Sequence, residues 1–293
     1  MKIALTGASG FIGSHVARVA TRHGHDVVAL VRETSNRTHI EDVVSSFVVG
    51  SHDDKDAQDK LVDGADVVIH DSFDWKALKE GSLKEHLKVN LESSIELLRK
   101  SKGKHFIYMS SIAVHHHMHD KWAGVIDTTH PTRPGSLYGA CKAAVEAHLW
   151  AANASHQQEF SAIRPCAVYG FDPSIKRSIG HPIIETIKHG KPYERTGGGK
   201  FVHVDDVAEA TVACIDNSNA TPKVYNLVDC YARWADWAKM IAEELGVDAT
   251  INDSSPNAPA NSFDTADVSN DLGVMLNRGT DGIHAFIKEL VHA

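Results

Sequence analysis

The sequence predicts an α/β fold, a doubly wound parallel sheet with a smaller mixed α/β lobe toward the C-terminus. Three observations predict it. Short β-branched runs alternate with longer stretches of helical period, a glycine-rich turn joins the first run to the first helix, and the alternation weakens after Arg164. The predicted strands are 3–6 within "KIALT", 27–31 "VVALV", 47–49 "FVV", 67–70 "VVIH", 106–110 "FIYMS", 161–164 "SAIR" and 224–227 "VYNL". Helical period places helices at 12–22, 57–62, 83–100, 137–154 and 204–215. Beyond Arg164, "RPCAVYGFDPSIKRSIGHP" carries the prolines and glycines of loops, and "WADWAKMIAEELG" and "GIHAFIKELV" read as amphipathic helices of the smaller lobe. We therefore expect a nucleotide-binding domain over 1–165 with 201–228, and a substrate lobe over 166–200 with 229–293. The substrate cleft is expected between them, outside the carboxyl ends of the strands.

Composition narrows the function. Of 293 residues, 42% are hydrophobic and 23% charged, an ordinary globular balance. A net charge of -8 without a Lys/Arg cluster argues against nucleic acid and for a small-molecule substrate. "MKIALT" enters a strand at once, with no leader, and no apolar run reaches the length of a membrane span, so the expected location is cytoplasmic. Cys141, Cys166, Cys214 and Cys230 show neither zinc-site spacing nor disulfide density and read as reduced thiols.

The opening "TGASGFIG" sets Gly7, Gly10 and Gly13 between a strand ending at Thr6 and a helix starting near Ile12. Backbone N–H groups and a positive helix end converge there, a seat for a pyrophosphate. Gly7 allows the tight turn, Gly10 the approach of phosphate, and Gly13 the packing of helix on strand. Ser9, Phe11 and Ile12 complete the turn, and the whole reads as a Rossmann-type dinucleotide site. At the end of the second strand Val31 stands where an acid for a ribose hydroxyl is expected, and Arg32 follows with Arg37 nearby. Arginines there suit a 2′-phosphate, favouring NADP over NAD, although Glu33 is discordant.

Tyr138 has Lys142 four positions later in "LYGACKAAVEAHLW", on one helical face. An ammonium beside a phenol stabilises the phenolate. Bringing tyrosine from about 10 to near 7 takes roughly 4 kcal/mol, which a desolvated Lys142 and a cationic nicotinamide could share, making Tyr138 a general acid/base near neutral pH. Upstream, "HFIYMSSIAV" brings Ser110 and Ser111 to the carboxyl edge of the sheet.

Together "TGASGFIG", "VIH", "VNLESSIELL", "MSSIAV", "YGACK", "IRPCAVYG", "FVHVDDVAEA" and "VYNLVD" resemble, in order and over essentially the whole chain, the extended short-chain dehydrogenase/reductase superfamily. Within it the resemblance is to the NAD-dependent epimerase/dehydratase family. It implies hydride transfer, with Ser111 bonding the reacting oxygen, Tyr138 moving the proton and Lys142 also holding the nicotinamide ribose. It further implies that Asn90 supports the active-site helix and that Pro165 borders the coenzyme. Relatives pair as dimers through helices matching 83–100 and 137–154, where Ala143, Ala147, Leu149, Trp150 and Ala151 offer apolar surface, so a homodimer is expected.

Departures from the pattern shape the expected reaction. Ser111-Ile112-Ala113 replaces the Thr-Asp-Glu of dehydratases, which disfavours loss of water. Lys200 replaces an arginine that grips a nucleotide-sugar diphosphate, leaving Arg195 and Arg233 as substitutes. "VHHHMHD" places His115, His116, His117 and His119 on one loop; His115 is a candidate substrate contact, and no metal is expected. "HDSFDW" brings Asp71 and Ser72 beside the coenzyme in place of small apolar residues, and Asp71 would need a hydrogen-bond donor. Ser51 and His52 flank the adenine position, with Asp53 or Asp54 as replacements for an acid. Tyr169 and the loop through Pro182 are expected to border the substrate, while Arg164 reads as structural. Asp205 and Asp206 are expected to cap a helix, and Trp234 and Trp237 to pack the lobe. The expected activity is NAD(P)-dependent oxidoreduction of a secondary alcohol or ketone in a small polar or sugar-like substrate. Alternatives are a nucleotide-sugar epimerase that retains its NAD and a non-catalytic NAD(P)-sensing protein.

Overall fold

A computed structural model describes residues 1–116 and 120–293. The first half alternates β1 (Lys2–Thr6), α1 (Phe11–Arg22), β2 (Asp26–Val31), β3 (Ser46–Val49), α2 (Lys55–Val62) and β4 (Val67–His70). It continues through α3 (Trp75–Lys79), α4 (Leu83–His86), α5 (Ser93–Lys100), β5 (His105–Met109), β6 (Val125–Ile126), α6 (Leu137–His156) and β7 (Phe160–Pro165). After these come β8 (Ala167–Tyr169), α7 (His181–Lys188), β9 (Gly198–His203), α8 (Val204–Val212), β10 (Lys223–Leu227), β11 (Cys230–Arg233) and α9 (Trp234–Leu245), then β12 (Ser262–Phe263), α10 (Ala266–Leu272) and α11 (Gly279–His292).

Seven strands form one parallel sheet in the order β10-β7-β5-β4-β1-β2-β3. The inner strands are buried on both faces, which is why these runs are mostly apolar rather than alternating, whereas the edge strand β3 is only partly buried. Side-chain alternation still sorts them. Ile3, Leu5, Val27, Ala29 and Val31 face a core shared with α1, α8 and α10, whereas Ala4, Val28 and Leu30 face one shared with α2, α5 and α6. A third core, around Trp237, Phe201, Ile241 and Phe286, belongs to a lobe whose small sheet runs β11-β9-β8.

Strand order reverses between β1 and β4, where Thr6 pairs with His70. Such a reversal opens a crevice at the carboxyl ends of the two strands, because their following segments turn to opposite faces.

The expected 83–100 helix is interrupted. α4 passes through a π-helical turn, Leu87–Glu92, before α5 resumes, and Asn90 lies inside that turn. Tertiary bonds hold the wider turn in place of the regular α-helical ladder. Trp234 and Trp237 pack the lobe as expected, Trp237 fully buried. Of the apolar residues offered as dimer surface, Leu149 is instead core, while Trp150 is 46% exposed with its ring edge-on to Phe160. Among the described residues no helix is long and apolar enough to cross a membrane.

Candidate active site

The crevice at the β1/β4 reversal holds a cavity of about 580 Å³. Its walls include Gly7, Ser9, Gly10, Phe11 and Ile12 from the glycine turn, Arg32 beyond β2, Asp71 and Ser72 beyond β4, and Phe73 and Trp75 at the far end. The turn is built by its glycines. Gly7 holds φ of +79°, and its carbonyl accepts the Gly10 N–H at 2.8 Å. A Cβ on Gly13 would stand 2.2 Å from the Gly7 carbonyl oxygen, so helix and turn touch backbone to backbone. Gly10 is the N-cap of α1 and lends the helix no side chain, which leaves its first N–H groups facing the cleft. This cradle fits a pyrophosphate.

Thr6 is buried below the cavity, its hydroxyl accepting the N–H groups of Asp71 and Ser72 at 3.2 Å and bonded to His70 Nδ1 at 2.7 Å. His70 Nε2 continues to Ser94 Oγ, which donates to the Asn90 carbonyl at 2.6 Å. Burial in this chain pushes the His70 pKa well down, so the ring is neutral. Asn90 Oδ1 accepts the Asp74 N–H at 2.6 Å, and Asn90 Nδ2 donates to the Asp74 carbonyl at 3.0 Å and pairs with His86 Nδ1 at 3.0 Å. Asn90 thus clamps the segment that carries Phe73 and Trp75.

Ser111, Tyr138 and Lys142 converge beyond that segment. Ser110 and Ser111 part company at the end of β5: Ser110 Oγ turns inward to Glu146, while Ser111 bonds Tyr138. Ser136 caps α6 by accepting the Gly139 N–H. At Gly139 a Cβ would meet the Ala113 carbonyl oxygen at 2.2 Å, so only glycine lets α6 abut the turn that follows Ser111. The Lys142 Nζ donates to the Met109 carbonyl at 2.6 Å and lies 4.8 Å from the Tyr108 ring centroid and 5.7 Å from that of Tyr138.

The protein's own groups do not by themselves supply the lowering expected at Tyr138. In this structure the Tyr138 hydroxyl is not lowered toward neutrality; burial pushes its pKa up to about 12, with the Ser111 bond pulling the other way. The physical reasons are the burial of the phenol and the nearby Asp71 carboxylate, which opposes a phenolate, while Lys142 donates to the Met109 carbonyl and has its own pKa lowered by burial. Tyr138 is also covered. The Trp75 ring stacks on it at 4.8 Å, and the Phe73 ring meets it edge-on at 5.0 Å. Only Asp71 and Ser72 of this segment were singled out in the sequence; the aromatic pair was legible as "SFDW", but nothing local says that its rings reach Tyr138.

Other expected site residues lie elsewhere. Arg32 lines the cavity, but the Arg37 guanidinium stands over the Phe47 ring at 5.3 Å and is not part of the wall. Pro165 ends β7 opposite Leu227, buried in the sheet. Tyr169 is fully buried in the lobe core against Trp237 and Phe286, so it cannot border a substrate; Asp172 and Arg177 of the loop after it do line the cavity. His115 accepts from Arg164 at 3.0 Å, and burial with that guanidinium lowers its pKa to about 4. It is a neutral structural acceptor. His117 and His119 lie outside the described residues. Arg195 stacks on Trp234 at 3.6 Å, and Arg233 is held by Asp236 and Asp253.

His52 lines the cavity and its Nε2 bonds the Val89 carbonyl, while Asp53 takes the Ser51 hydroxyl and Asp54 caps α2. Asp205 and Asp206 do not cap α8. The His203 side chain accepts the Asp205 N–H, Asp205 pairs with His15, and Asp206 is bidentate to Arg278, an arginine the sequence reading overlooked. Arg164 is structural, its guanidinium paired with Glu146 at 2.9 and 2.5 Å inside the core.

Comparison with known proteins agrees with this architecture. The chain is 26% identical over 239 residues to a chloroplastic divinyl chlorophyllide a 8-vinyl-reductase of Oryza sativa subsp. indica, covering 76% of this chain and 53% of that protein. It therefore spans about half the length of that relative. It is 26% identical to a dihydroflavonol 4-reductase of Dianthus caryophyllus over 267 residues, 83% of this chain and 73% of the relative. Among solved structures, the UDP-glucose 4-epimerase of Thermotoga maritima with UDP-glucose superposes with a TM-score of 0.81 at 19% identity, covering 100% of this chain and 98% of that one. The Thermus thermophilus UDP-glucose 4-epimerase complex with NAD gives 0.80 at 21%, again covering 100% and 98%. At such identities the likeness is one of fold. The family model of NAD dependent epimerases and dehydratases matches residues 3–227, from the first residues of β1 to the end of β10, and the chain belongs to that family.

Proposed function

We propose that the protein is an NAD(P)-dependent oxidoreductase acting on a secondary alcohol or ketone of a small polar or sugar-like substrate. One observation carries the reading: Ser111, Tyr138 and Lys142 converge beside a cleft whose glycine cradle leaves room for a pyrophosphate. The cradle residues Gly7, Ser9, Gly10, Phe11 and Ile12 would hold the pyrophosphate, and Arg32, exposed on the cleft wall, favours a 2′-phosphate and hence NADP. The nicotinamide, when bound, supplies or accepts the hydride. Tyr138 Oη gives a proton to the substrate oxygen or takes one from it, Ser111 Oγ donates a hydrogen bond to that oxygen, and Lys142 Nζ opposes the charge of a phenolate. Asn90 acts through the backbone of Asp74, holding Phe73 and Trp75 in place. In this reading residues 1–165 with 201–228 hold the coenzyme, and 166–200 with 229–293 shape the substrate site.

Reduction is favoured over nucleotide-sugar epimerisation by the state of the lobe's arginines. Arg195 is stacked on Trp234, Arg233 is paired with Asp236 and Asp253, and Arg278 with Asp206, so a diphosphate would have to displace existing partners. Reductases and a UDP-glucose 4-epimerase both stand among the relatives, so the arginines carry the choice. The reading includes a cytoplasmic homodimer formed through α5 and α6, where Ala147, Trp150 and Ala151 are exposed; light scattering that finds only monomer removes that part.

The test is Tyr138→Phe with coenzyme titration. It should bind NADPH as the wild type does and lose roughly 10²- to 10⁴-fold in turnover of a carbonyl substrate, and Arg32→Ala should weaken NADPH but not NADH. Full turnover by Tyr138→Phe would overturn catalysis by this tyrosine. Coenzyme that stays bound through purification, with no net turnover, would move the epimerase reading to the front.

A further inference from the structure

Asp71 follows β4 at the reversal of strand order, and its backbone is pinned. Its N–H donates to Thr6 Oγ1 at 3.2 Å, and its carbonyl carbon and Cβ lie 2.9 and 3.2 Å from where a Gly7 Cβ would stand. The residue therefore lines the cleft directly beside the glycine turn, on one wall with Ser9, Gly10, Phe11 and Ile12. The Gly13 N–H, in the first turn of α1, is directed at its carboxyl. Since the N-cap Gly10 gives α1 no side chain, Asp71 supplies an anion to that helix end from the neighbouring strand. On the dinucleotide reading proposed above, this is the seat of the pyrophosphate. A carboxylate and a pyrophosphate on one wall repel each other, and the repulsion is removed when the carboxylate takes a proton.

We infer that a dinucleotide enters this cleft together with one proton, taken from solvent onto the Asp71 carboxylate, so that Asp71 is neutral and a hydrogen-bond donor beside the pyrophosphate. Burial already holds the Asp71 carboxyl above the usual carboxylate range, against the pull of Lys142 and the Gly13 N–H, so the proton costs little near neutral pH. Other charged or titratable groups face the same space. Arg32 stands at the end of β2, His52 beyond β3, Asp74 and Lys76 on Asp71's own segment, and Asp172 and Arg177 on the loop after β8. From α6, Lys142 and Tyr138 both interact with Asp71. Lys142 is the main competitor as the titrating group, because burial lowers its pKa toward the same range.

The experiment uses NADH, which has no group titrating between pH 6.5 and 9, and follows its binding by fluorescence to wild type and Asp71→Asn. Calorimetry of the wild type in two buffers of different ionisation heat counts protons. For the wild type the Kd should rise with pH, approaching about tenfold per unit at the alkaline end, with one proton taken up. Asp71→Asn should bind with little pH dependence and more tightly than wild type at pH 9. A wild-type Kd independent of pH, or no proton uptake, overturns the inference while leaving the dinucleotide site standing, whether or not the variant folds. A pH slope that persists in Asp71→Asn assigns the proton to another group and overturns it too. Absence of binding of both NADH and NADPH by both proteins at every pH overturns the dinucleotide reading and this inference with it.

Discussion

Gly13→Ala separates the packing role of the glycine turn from its ligand role. The new Cβ would stand 2.2 Å from the Gly7 carbonyl oxygen, 2.6 Å from the Gly7 carbonyl carbon and 3.0 Å from the Ala8 nitrogen. All three are backbone atoms, and ordinary contact starts at 3.4 Å, so α1 or the turn must retreat by about 1.2 Å. Neither retreats freely. The Gly7 oxygen accepts the Gly10 N–H at 2.8 Å, and α1 is packed into the core it shares with the sheet and α8. Overpacking of this kind costs roughly 1–3 kcal/mol, which for a chain of this size lowers Tm by about 2–5 °C. NADH affinity falls as well, because the retreat opens the cradle. Gly10→Ala is the matched comparison: its Cβ would meet the Gly7 oxygen at 3.1 Å, a contact that small shifts relieve, so stability should hardly change while NADH binding drops. Gly24→Ala, with φ of +80° and nothing within 4 Å, controls for backbone strain alone, worth about 1 kcal/mol. Thermal melts and NADH titrations of the three variants give the ranking. A Gly13→Ala protein that melts within a degree of wild type and binds NADH unchanged would refute the backbone-contact argument.

Three further outcomes follow from the buried polar groups. Arg164→Met leaves Glu146 charged in the core with Ser110, at roughly 3–5 kcal/mol; adding Glu146→Leu should restore much of the loss, and equal urea midpoints for the single and double variants would sink the pairing. Asn90→Ala removes both bonds to the Asp74 backbone and should cost about 1–3 kcal/mol. It should also shift the Trp75 emission, read as the difference from Trp75→Phe, and an unshifted emission would show that Asn90 does not hold the segment. His70, His105 and His115 all have folded-state pKa values below the ordinary 6.5 because they are buried, so the unfolded chain binds more protons. Their stabilisation is complete above about pH 6.5 and is lost as pH falls toward about 4. Asp71 and Asp229, raised by burial, work with the opposite sign but are outnumbered by the histidines that burial lowers, among them also His52 and His203. Unfolding midpoints in urea should therefore drop between pH 7 and 4.5, and a constant midpoint would show that these rings are not held neutral.

Local pattern carried the fold because each element of a doubly wound sheet announces itself over a few residues. The strands buried on both faces are continuous apolar runs, and Gly7, Gly10 and Gly13 meet a steric requirement set within their own turn. The pairing of Tyr138 with Lys142 was legible for the same reason, since helical spacing alone puts them on one face. Trp234 and Trp237 likewise read correctly as lobe packing.

The misplaced residues share a different cause. Residue type and nearness in the chain to motifs point to Arg37, Tyr169, Arg195 and His115, but where such side chains end is decided by partners far away in sequence. Phe47 takes Arg37, the core of the lobe takes Tyr169, Trp234 takes Arg195, and Arg164 turns His115 into a neutral acceptor.

By itself the sequence determined the sheet, the glycine cradle and the helix that presents Tyr138 and Lys142, because each rests on interactions within a few residues. Only the tertiary structure decided that Ser110 turns inward to Glu146, that Phe73 and Trp75 cover Tyr138, and that the Asp71 carboxyl is buried within the field of Lys142. The physical reason is that burial and charge at a site are sums over strands and helices brought together from distant parts of the chain, and no window along the sequence contains all of them.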